Sequence, residues 1–424
     1  MQKKQSGNAV VFGMVLLNVL LWIVFRPNSD NVPQITAQFS GELIGSTAMV
    51  LMAIAIILST KPRILEPYFG GLDKMYQTHK QTAIFAFFLL IGHKLVIPFA
   101  KSSFASKRLG NVAYLGIIFL VLITIAPRIP LISRFLNLPY HRWRALHSLL
   151  GVLFVVGLAH SLTVNAAMQQ SVPGAYMLLV SIIAIVAWLY HSLFGGRRHK
   201  VAFTVSQVQQ LNGACTEVTL KPKGEMLKFE AGQFVFVQFD GDRHLSEPHP
   251  FTVSNAPDEG VLRLSIKGSG DWTRYLINNL KAGADAKVEG AYGMFNYKTG
   301  GDQQIWIAGG IGVTPFLSWM RDAGGSLSKD VDFFYGVRGT GDALFWDEIA
   351  TAAEQDARFE AHLQLSSRDG HLSAEKIAKR TRGNIAEKHI YMCGPVKMTE
   401  GFARAFQQLG VPSSNIHYEE FNFR

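Results

Sequence analysis

Four histidines in two apolar stretches are the residues of this chain whose type and spacing most directly suggest chemistry. His79 and His93 lie fourteen residues apart in one stretch, and His147 and His160 lie thirteen apart in another. An imidazole in an apolar span must be hydrogen-bonded or metal-bound, so histidine is scarce there. A single such histidine more often bonds a neighbouring helix, but two matched pairs favour metal ligation.

Helix geometry refines this prediction. On an ideal helix the first pair is separated by roughly 21 Å and lies within about 40° of one face. The second pair spans about 19.5 Å but falls about 140° short of four full turns, so its helix must bend, rewind or tilt its side chains. Gly151 and Gly157 lie between these two histidines and would permit a distortion, although glycine in a membrane span is equally a close-packing residue, the role we favour for Gly157. If the two helices are neighbours, each of two depths in the membrane holds one histidine from each helix. Such a pair is what a six-coordinate haem requires as its axial ligands.

The elements that position these histidines must cross a membrane. The chain has 424 residues, of which 48% are hydrophobic and 17% charged, and the apolar residues are concentrated in the first half. Six apolar segments have lengths suited to bilayer-crossing helices. They are residues 9–25, 41–60, 77–99, 112–126, 144–163 and 175–194. Basic residues precede the first segment, but no small-residue cleavage pattern follows it, so we expect a retained helix and not a secretion signal.

The distribution of basic residues between the segments predicts their orientation. The loops assigned inside carry Lys3, Lys4, Lys61, Arg63, Lys74, Arg128, Arg134, Arg142, Arg144, Arg197, Arg198 and Lys200, and those assigned outside carry only Arg26, Lys101, Lys107 and Arg108. By the positive-inside rule, both termini are cytoplasmic, and a bacterial inner membrane is the expected location. His79 and His147 then lie near the inner leaflet, and His93 and His160 near the outer one.

Charge and cysteine content exclude other classes of protein. The net charge is +10, but much of the excess lies in the inner loops, where attraction to anionic lipids explains it. We find no nucleic-acid-binding motif, so the expected partner is the lipid bilayer. The two cysteines, Cys215 and Cys393, both fall in the second half and form neither a disulfide framework nor a cysteine metal site.

The second half has the pattern of a soluble module. Composition changes sharply at residues 195–200. Short β-like runs at 234–239 and 261–267, separated by Gly, Pro and Asp turns, predict a small antiparallel barrel. Further on, an apolar run at 305–308 leads into a glycine-rich turn and a helix-like segment at 316–320. This order of strand, turn and helix suggests phosphate binding, although the turn lacks the usual dinucleotide fingerprint and a plain structural turn would also explain it.

Four short motifs follow one another in the second half. They are His249, Pro250, Phe251 and Thr252; Lys267 to Thr273, including Gly270 and Trp272; Gly309, Gly310, Gly312, Thr314 and Pro315; and Cys393, Gly394 and Pro395. Together with the spacing of the four membrane histidines, they resemble the NADPH oxidase and ferric reductase superfamily of membrane flavocytochromes over nearly the whole chain. The resemblance implies a six-helix transmembrane di-haem domain over 1–197, an antiparallel β-barrel FAD domain over 198–300 and an α/β NADPH-binding domain over 301–424, the last two forming a ferredoxin-reductase-like module.

The resemblance also implies roles for individual residues. The first motif would hold the isoalloxazine and ribityl region of FAD, with Phe251 alternatively a core residue, and Lys267, Gly270, Trp272 and Thr273 would border the FAD diphosphate. The third motif would line the diphosphate of the nicotinamide nucleotide, and the Cys393 motif would lie beside its nicotinamide. Arg338, Ser367 and Arg368 resemble positions that receive nucleotide phosphates, which favours NADPH over NADH because the guanidinium fork suits a 2′-phosphate.

Near the end of the chain, Phe421, in preference to Phe423, would stack on the flavin and move before hydride transfer, although both rings could instead be core residues. On the outer side, Lys94 either snorkels to the interface or pairs with a haem propionate. Arg142 and Arg144 could pair with propionates or FAD phosphates, and topological charge explains them equally well.

The implied activity is transmembrane electron transfer. Nicotinamide gives up a hydride whereas a haem accepts one electron at a time, so FAD is required between them. Electrons would pass to an inner haem on His79 and His147, then to an outer haem on His93 and His160, and then to an acceptor outside, with O2 giving superoxide as the leading expectation.

Several alternatives remain for the acceptor and for the class of protein. A ferric or cupric chelate is the alternative acceptor, because Ile97 stands where animal oxidases carry a further histidine. No calcium-loop pattern or docking tail is evident, so we expect activity without an activating subunit. Two other classes remain open: a haem subunit serving a periplasmic enzyme, and a six-helix transporter with a nucleotide-sensing tail.

Overall fold

The computed structural model describes residues 6–25, 32–97, 104–126, 140–164, 171–195 and 200–419. The chain divides into two compact units, Met1–Arg198 and His199–Arg424.

The first unit consists of helices. They are α1 (Ser6–Val24), α2 (Val32–Ser59), the single turn α3 (Glu66–Phe69), α4 (Leu72–Val96), α5 (Phe104–Ile125), α6 (Tyr140–Ser148), α7 (Leu150–Val164) and α8 (Val172–Tyr190), which continues into a π-helical turn (His191–Gly195). Within the described ranges, five helical segments are long and apolar enough to cross a membrane, α6 and α7 together counting as one. The remaining predicted segment, 77–99, corresponds to α4, which has 25 residues but is more polar than the others because of its histidines and lysines. Of the six expected membrane-crossing helices, five are therefore candidates by length and composition.

The surface and interior of this unit have the composition expected of a membrane domain. Large apolar side chains lie exposed on the outside of the helices, among them Phe12, Phe85, Phe88, Leu115, Phe119 and Val186. Inside, Asn18 of α1 donates to Thr47 Oγ1 on α2 at 3.0 Å and accepts from Ser46 Oγ at 2.8 Å. Such interhelical hydrogen bonds hold helices together where no hydrophobic driving force acts between them.

The helix that carries His147 and His160 is interrupted, as their angular mismatch requires. Helical structure stops at Leu149, between α6 and α7. The backbone N–H of Leu149 bonds to Leu146 O, three residues back, at 3.1 Å, which tightens the turn. The expected distortion is confirmed, and it lies beside His147 and not at either of the two glycines.

Both glycines of α7 lie at helix contacts. A methyl group at Gly151 would come within 2.7 Å of Trp188 Cε2 on α8. Helix α8 can therefore lie this close to α7 only because Gly151 has no side chain. A methyl group at Gly157 would make ordinary contact with Met49 Sδ at 3.7 Å. Their positions agree with packing roles.

The second unit begins with a curled antiparallel sheet. Its strands are β1 (Lys200–Asn212), β2 (Cys215–Pro222), β3 (Phe234–Phe239), β4 (His249–Thr252), β5 (Leu262–Lys267) and β6 (Asp285–Tyr292), in the order β4-β3-β6-β1-β2-β5. The two edges approach each other through a bridge between Val253 and Leu264. The predicted barrel is thus a curled half-barrel, and the strands predicted at 234–239 and 261–267 are confirmed. Helix α9 (Asp271–Asn279) follows β5.

A parallel sheet with helices forms the rest of this unit. Its strands are β7 (Gln303–Gly309), β8 (Asp330–Val337), β9 (Phe359–Leu365), β10 (His389–Cys393) and β11 (Ile416–Tyr418), in the order β11-β10-β7-β8-β9. Its helices are α10 (Thr314–Asp322), α11 (Trp346–Gln355), α12 (Ser366–Asp369), α13 (Ala374–Arg380) and α14 (Val396–Gln408). The order reverses between β7 and β10, and such a switch point opens a crevice at the carboxyl ends of the strands. The register pairs Ala308 with Cys393 there, so the glycine-rich turn and the Cys393 motif meet.

Helix α10 joins the parallel sheet to the half-barrel. Ser318 Oγ donates to Asn255 O at 2.8 Å, and Trp319 Nε1 donates to Ala231 O at 3.1 Å. Arg321 donates to Ser254 O at 2.9 Å and forms two 2.8 Å hydrogen bonds with Glu348. The helix that follows the glycine-rich turn therefore fixes that turn relative to the half-barrel.

Candidate functional site

Three of the four membrane histidines bond a backbone carbonyl of a neighbouring helix. His79 Nδ1 lies 2.8 Å from Ala55 O and His93 Nδ1 lies 2.7 Å from Gly41 O, both on α2. His160 Nδ1 lies 2.9 Å from Ser106 O on α5. Because a carbonyl oxygen only accepts, Nδ1 must carry the proton, and Nε2 keeps the lone pair with which an imidazole binds metal.

His79 and His147 form a facing pair. Their ring centroids are 6.2 Å apart, with 73° between the ring planes. An imidazole nitrogen binds a metal at about 2 Å and its ring centre lies about 1 Å further back, so opposite ligands of one iron have ring centres about 6 Å apart. The spacing of this pair fits a bis-imidazole haem.

The second pair lies near the other end of the same helices. His93 and His160 are close enough for their charges to interact, and Lys94 is near both. The Lys94 amine donates to Asn111 Oδ1 on α5 at 3.1 Å and lies 5.9 Å from the ring centre of Tyr114.

The donor set also limits which metal group fits these pairs. Across the described ranges, no group of three or more His, Cys, Asp or Glu side chains could hold a metal ion. Each histidine pair offers two imidazole donors, which suits a metal that brings further donors with it, as a porphyrin does.

The second unit contains a cavity of about 1200 Å³ between the β4 and β5 side of the half-barrel and the carboxyl edge of the parallel sheet. Pockets for a single small molecule are usually about 300–1,000 Å³, so this one is larger than usual. The predicted residues that line it are His249, Pro250, Phe251, Thr252, Lys267, Thr273, Gly309, Gly310, Gly312, Thr314, Arg338, Cys393, Gly394 and Pro395. The fold thus brings together predicted residues that are up to 146 positions apart in the chain.

The glycine-rich turn permits a close approach of backbone segments. Gly310 has a positive φ of 56°, which favours glycine. A methyl group at Gly312 would lie 2.8 Å from Gly394 N, and one at Gly309 would lie 2.7 Å from Met398 Sδ. The turn leads directly into α10, whose amino end and dipole favour a phosphate.

Cys393 lies in the floor of the cavity as a neutral thiol. Its side chain is buried, and burial, followed by the negative charge of Glu419, raises the pKa of the thiol far above its usual range. A thiol in this state packs as a small apolar group and is a poor nucleophile.

Glu419 lies near Cys393, and sequence reasoning did not single it out. Its side chain is 4% exposed, and a methyl group at Gly293 would lie 2.7 Å from its Oε1. The only sequence signal was its position two residues before Phe421. Phe421 and Phe423 themselves lie outside the described residues, so stacking of Phe421 on the flavin stays a prediction.

Five predicted residues do not line the cavity: Gly270, Trp272, Pro315, Ser367 and Arg368. The ring of Trp272 instead stacks on His249, with centroids 4.1 Å apart and 27° between the planes. His249 Nε2 and Trp272 Nε1 are buried without a hydrogen-bond partner in the described part of the chain, and the nearest carboxylate oxygen to the former belongs to Glu247, at 3.7 Å. Buried polar atoms of this kind normally find a partner, so their position beside the cavity fits a polar ligand such as FAD.

The predicted phosphate-binding arginines differ in their surroundings. Both oxygens of Asp369 accept from Arg368, at 2.7 and 3.1 Å. Arg338 lines the cavity, is exposed, and has no ion pair within the described residues. Lys397 also lines the cavity, and its position two residues after Pro395, in the first turn of α14, was a signal that sequence reasoning did not use.

Comparison with known families matches three parts of the chain. Residues 44–158 match the ferric reductase like transmembrane component, residues 200–300 an FAD-binding domain, and residues 306–404 an oxidoreductase NAD-binding domain. The apolar helices of the first unit and the two halves of the second thus each correspond to a known domain.

Individual relatives match about half of the chain. The reductase component of propane 2-monooxygenase from Gordonia sp. (strain TY-5) is 27% identical over 208 residues, which are 46% of this chain and 60% of the relative. The carnitine monooxygenase reductase subunit of Escherichia coli (strain K12) is 28% identical over 225 residues, 51% of this chain and 67% of the relative. The chain spans about three fifths to two thirds of the length of these relatives.

One solved structure resembles the chain more extensively. The flavohemoglobin from Malassezia yamatoensis, with bound FAD and heme, has a TM-score of 0.52 at 16% identity and covers 92% of this chain and 98% of its own. At this identity the likeness concerns the fold alone.

Proposed function

Since this chain has the domain architecture of the NADPH oxidase and ferric reductase superfamily and belongs to it, we propose that it transfers electrons from NADPH, through FAD and two b-type haems, to an acceptor across a membrane. The observation that carries the proposal is the 6.2 Å spacing of the His79 and His147 rings in a unit of apolar helices. The cavity of the second unit supports the proposed source of electrons.

The residues of the second unit would bind and orient two nucleotides. When bound, FAD accepts two electrons as a hydride and passes them on singly, and haem carries one electron at a time. His249 and Thr252 would hold the flavin, while Gly309 and Gly312 let backbone approach the diphosphate of the nicotinamide nucleotide. The buried, neutral thiol of Cys393 would give this end of the cavity an apolar surface beside the nicotinamide.

The residues of the first unit would hold two haems at different depths. His79 and His147 would hold the inner haem, and His93 and His160 the outer one; in His79, His93 and His160 the lone pair for the metal is on Nε2. If His93 and His160 both hold the outer haem, an acceptor would have to take its electron without displacing either histidine. Ile97 packs against Gly41, so an apolar residue stands one turn beyond His93.

We propose O2, reduced to superoxide, as the acceptor, with a ferric or cupric chelate or a periplasmic partner enzyme as alternatives. Purified full-length protein should reduce cytochrome c in a manner sensitive to superoxide dismutase. Faster reduction of a ferric chelate without oxygen would favour the reductase alternative. Absence of electron flow to either, with haems that NADPH still reduces, would favour the partner enzyme.

The decisive experiment is an optical spectrum of the purified chain before and after anaerobic addition of NADPH. Absorption in the Soret region and reduced b-type bands are expected. A colourless, well-folded protein would overturn the proposal and favour a transporter with a nucleotide-sensing tail. Steady turnover without added proteins would support our proposal that no activating subunit is required.

Location is also part of the proposal. The basic residues of the assigned inner loops support a bacterial inner membrane with both termini and the second unit in the cytoplasm. A green fluorescent protein fused after Arg424 should fluoresce, whereas alkaline phosphatase at the same position should be inactive. The opposite result would reverse the proposed direction of electron transfer.

A further inference from the structure

Each ring of the outer histidine pair lies directly against a glycine of a flanking helix. A methyl group at Gly45 of α2 would lie 2.7 Å from His93 Nδ1 and 2.9 Å from its Cε1. A methyl group at Gly110 of α5 would lie 2.7 Å from His160 Cε1 and 2.9 Å from its Nδ1. Carbon atoms do not approach ring atoms this closely without displacement, so any side chain at either glycine would move the ring.

The same two rings are hydrogen-bonded one helical turn before each glycine. His93 Nδ1 donates to Gly41 O at 2.7 Å, four residues before Gly45, and His160 Nδ1 donates to Ser106 O at 2.9 Å, four residues before Gly110. Residues four apart share one face of a helix. Each carbonyl therefore uses one lone pair within its helix and offers the other to the ring.

The inner pair is held in other ways. His79 Nδ1 bonds to Ala55 O at 2.8 Å, but Ser59, and not a glycine, lies four residues further on. His147 has the ring of Trp143 stacked on it, with centroids 5.1 Å apart. Among the described residues, a carbonyl that accepts from the ring and a glycine four residues later that lies against the same ring thus occur together at His93 and at His160.

We propose that Gly45 and Gly110 are positioning residues of the outer haem, an inference that rests on the proposed function. Without a side chain at either position, each imidazole lies flush against its flanking helix, where Nδ1 donates to the carbonyl. That bond keeps the proton off Nε2 and fixes the direction in which Nε2 meets iron. Loss of an outer-sphere partner of a metal-binding histidine typically costs about 10- to 100-fold in metal affinity.

The test compares Gly45→Ala and Gly110→Ala in the full-length protein with two glycine controls. Gly92 adjoins His93, and a methyl group there would come no closer than 3.9 Å, to Ile44 Cγ2. Gly157 lies on the same helix as His160, and its methyl group would come no closer than 3.7 Å. Haem per FAD and the electron paramagnetic resonance spectrum of the oxidised protein are measured for each variant.

The wild type, Gly92→Ala and Gly157→Ala should each contain two low-spin haems per FAD. Gly45→Ala and Gly110→Ala should lose one low-spin signal, either to a high-spin signal or to about half the haem content. Because the two glycines lie on different helices, either variant tests the proposal if the other does not assemble. Two unperturbed low-spin haems in these variants would overturn it, whereas a wild type without haem would instead overturn the proposed function.

Discussion

The rings of Trp143 and His147 are stacked, with centroids 5.1 Å apart and only 9° between their planes. The indole N–H also makes a long hydrogen bond of 3.3 Å to Thr124 O on α5. Trp143 lies one turn before His147 on α6, so its stacked ring restrains this imidazole.

Replacing Trp143 should therefore disturb the inner haem selectively. Trp143→Leu removes both contacts, and Trp143→Phe keeps the stack, which is worth about 0.5–1.5 kcal/mol. We expect the reduction potential and low-spin signal of the inner haem to change in Trp143→Leu and to be largely restored in Trp143→Phe. Redox titration and the low-spin signal measure this change, with Trp22→Phe in α1 as a control variant. Equal potentials and equal spectra for all three variants would contradict the prediction.

Removing an outer ligand should separate flavin reduction from delivery of electrons. In His93→Leu and His160→Leu, NADPH should still reduce FAD, because the cavity of the second unit is unchanged, but reduction of the external acceptor should fall to background. Stopped-flow absorbance of the flavin and steady-state acceptor reduction measure the two steps. Full delivery by these variants would show that the proposed route is wrong.

Arg338 should contribute more than Arg368 to a preference for NADPH. A charge-assisted hydrogen bond to phosphate is worth about 1.5–3 kcal/mol, so Arg338→Gln should raise KM for NADPH roughly ten- to hundredfold and leave KM for NADH nearly unchanged. Arg368→Gln should have a smaller effect because Asp369 already binds its guanidinium. Steady-state kinetics with both nucleotides measure these KM values. A larger effect of Arg368→Gln than of Arg338→Gln would mean that Arg368 leaves Asp369 when nucleotide binds.

Asp332 should be important for stability and for its dependence on pH. Its carboxylate is buried and bonds Lys388 at 2.7 Å and Arg382 at 2.9 Å. Burial alone would raise the pKa of Asp332, but Lys388, Thr381 and Arg382 outweigh it and lower the pKa. Stability from this group is therefore present above the pKa of an unfolded aspartate, about 3.9, and is lost as pH falls through the lower folded value.

Asp332→Asn should destabilise the protein by about 3–5 kcal/mol, because Lys388 would remain buried without its counter-charge. The control is Asp302→Asn, since Asp302 forms a 2.8 Å pair with Lys329 while its own side chain is 89% exposed, and such pairs contribute about 0–1 kcal/mol. Thermal release of FAD, followed by fluorescence, measures both variants. Equal stability of the two would contradict the assignment.

The sequence by itself determined the local elements and the chemistry they carry. The apolar runs at 234–239 and 305–308 are short strands buried on both faces, which a short continuous apolar run bounded by turn residues indicates from the local sequence. The histidine spacing required a distorted helix for the same local reason, since 13 residues do not complete a whole number of turns.

Only the tertiary structure decided which elements meet. The apolar pattern places Gly45 in a predicted helix and Gly110 just before one. It does not show that each faces an imidazole from another helix, because sequence spacing carries no information about contacts between distant segments. The same limit applies to Trp272, which stacks on His249, and to Arg368, which is bound by Asp369. Local patterns define faces, and packing selects which faces come together.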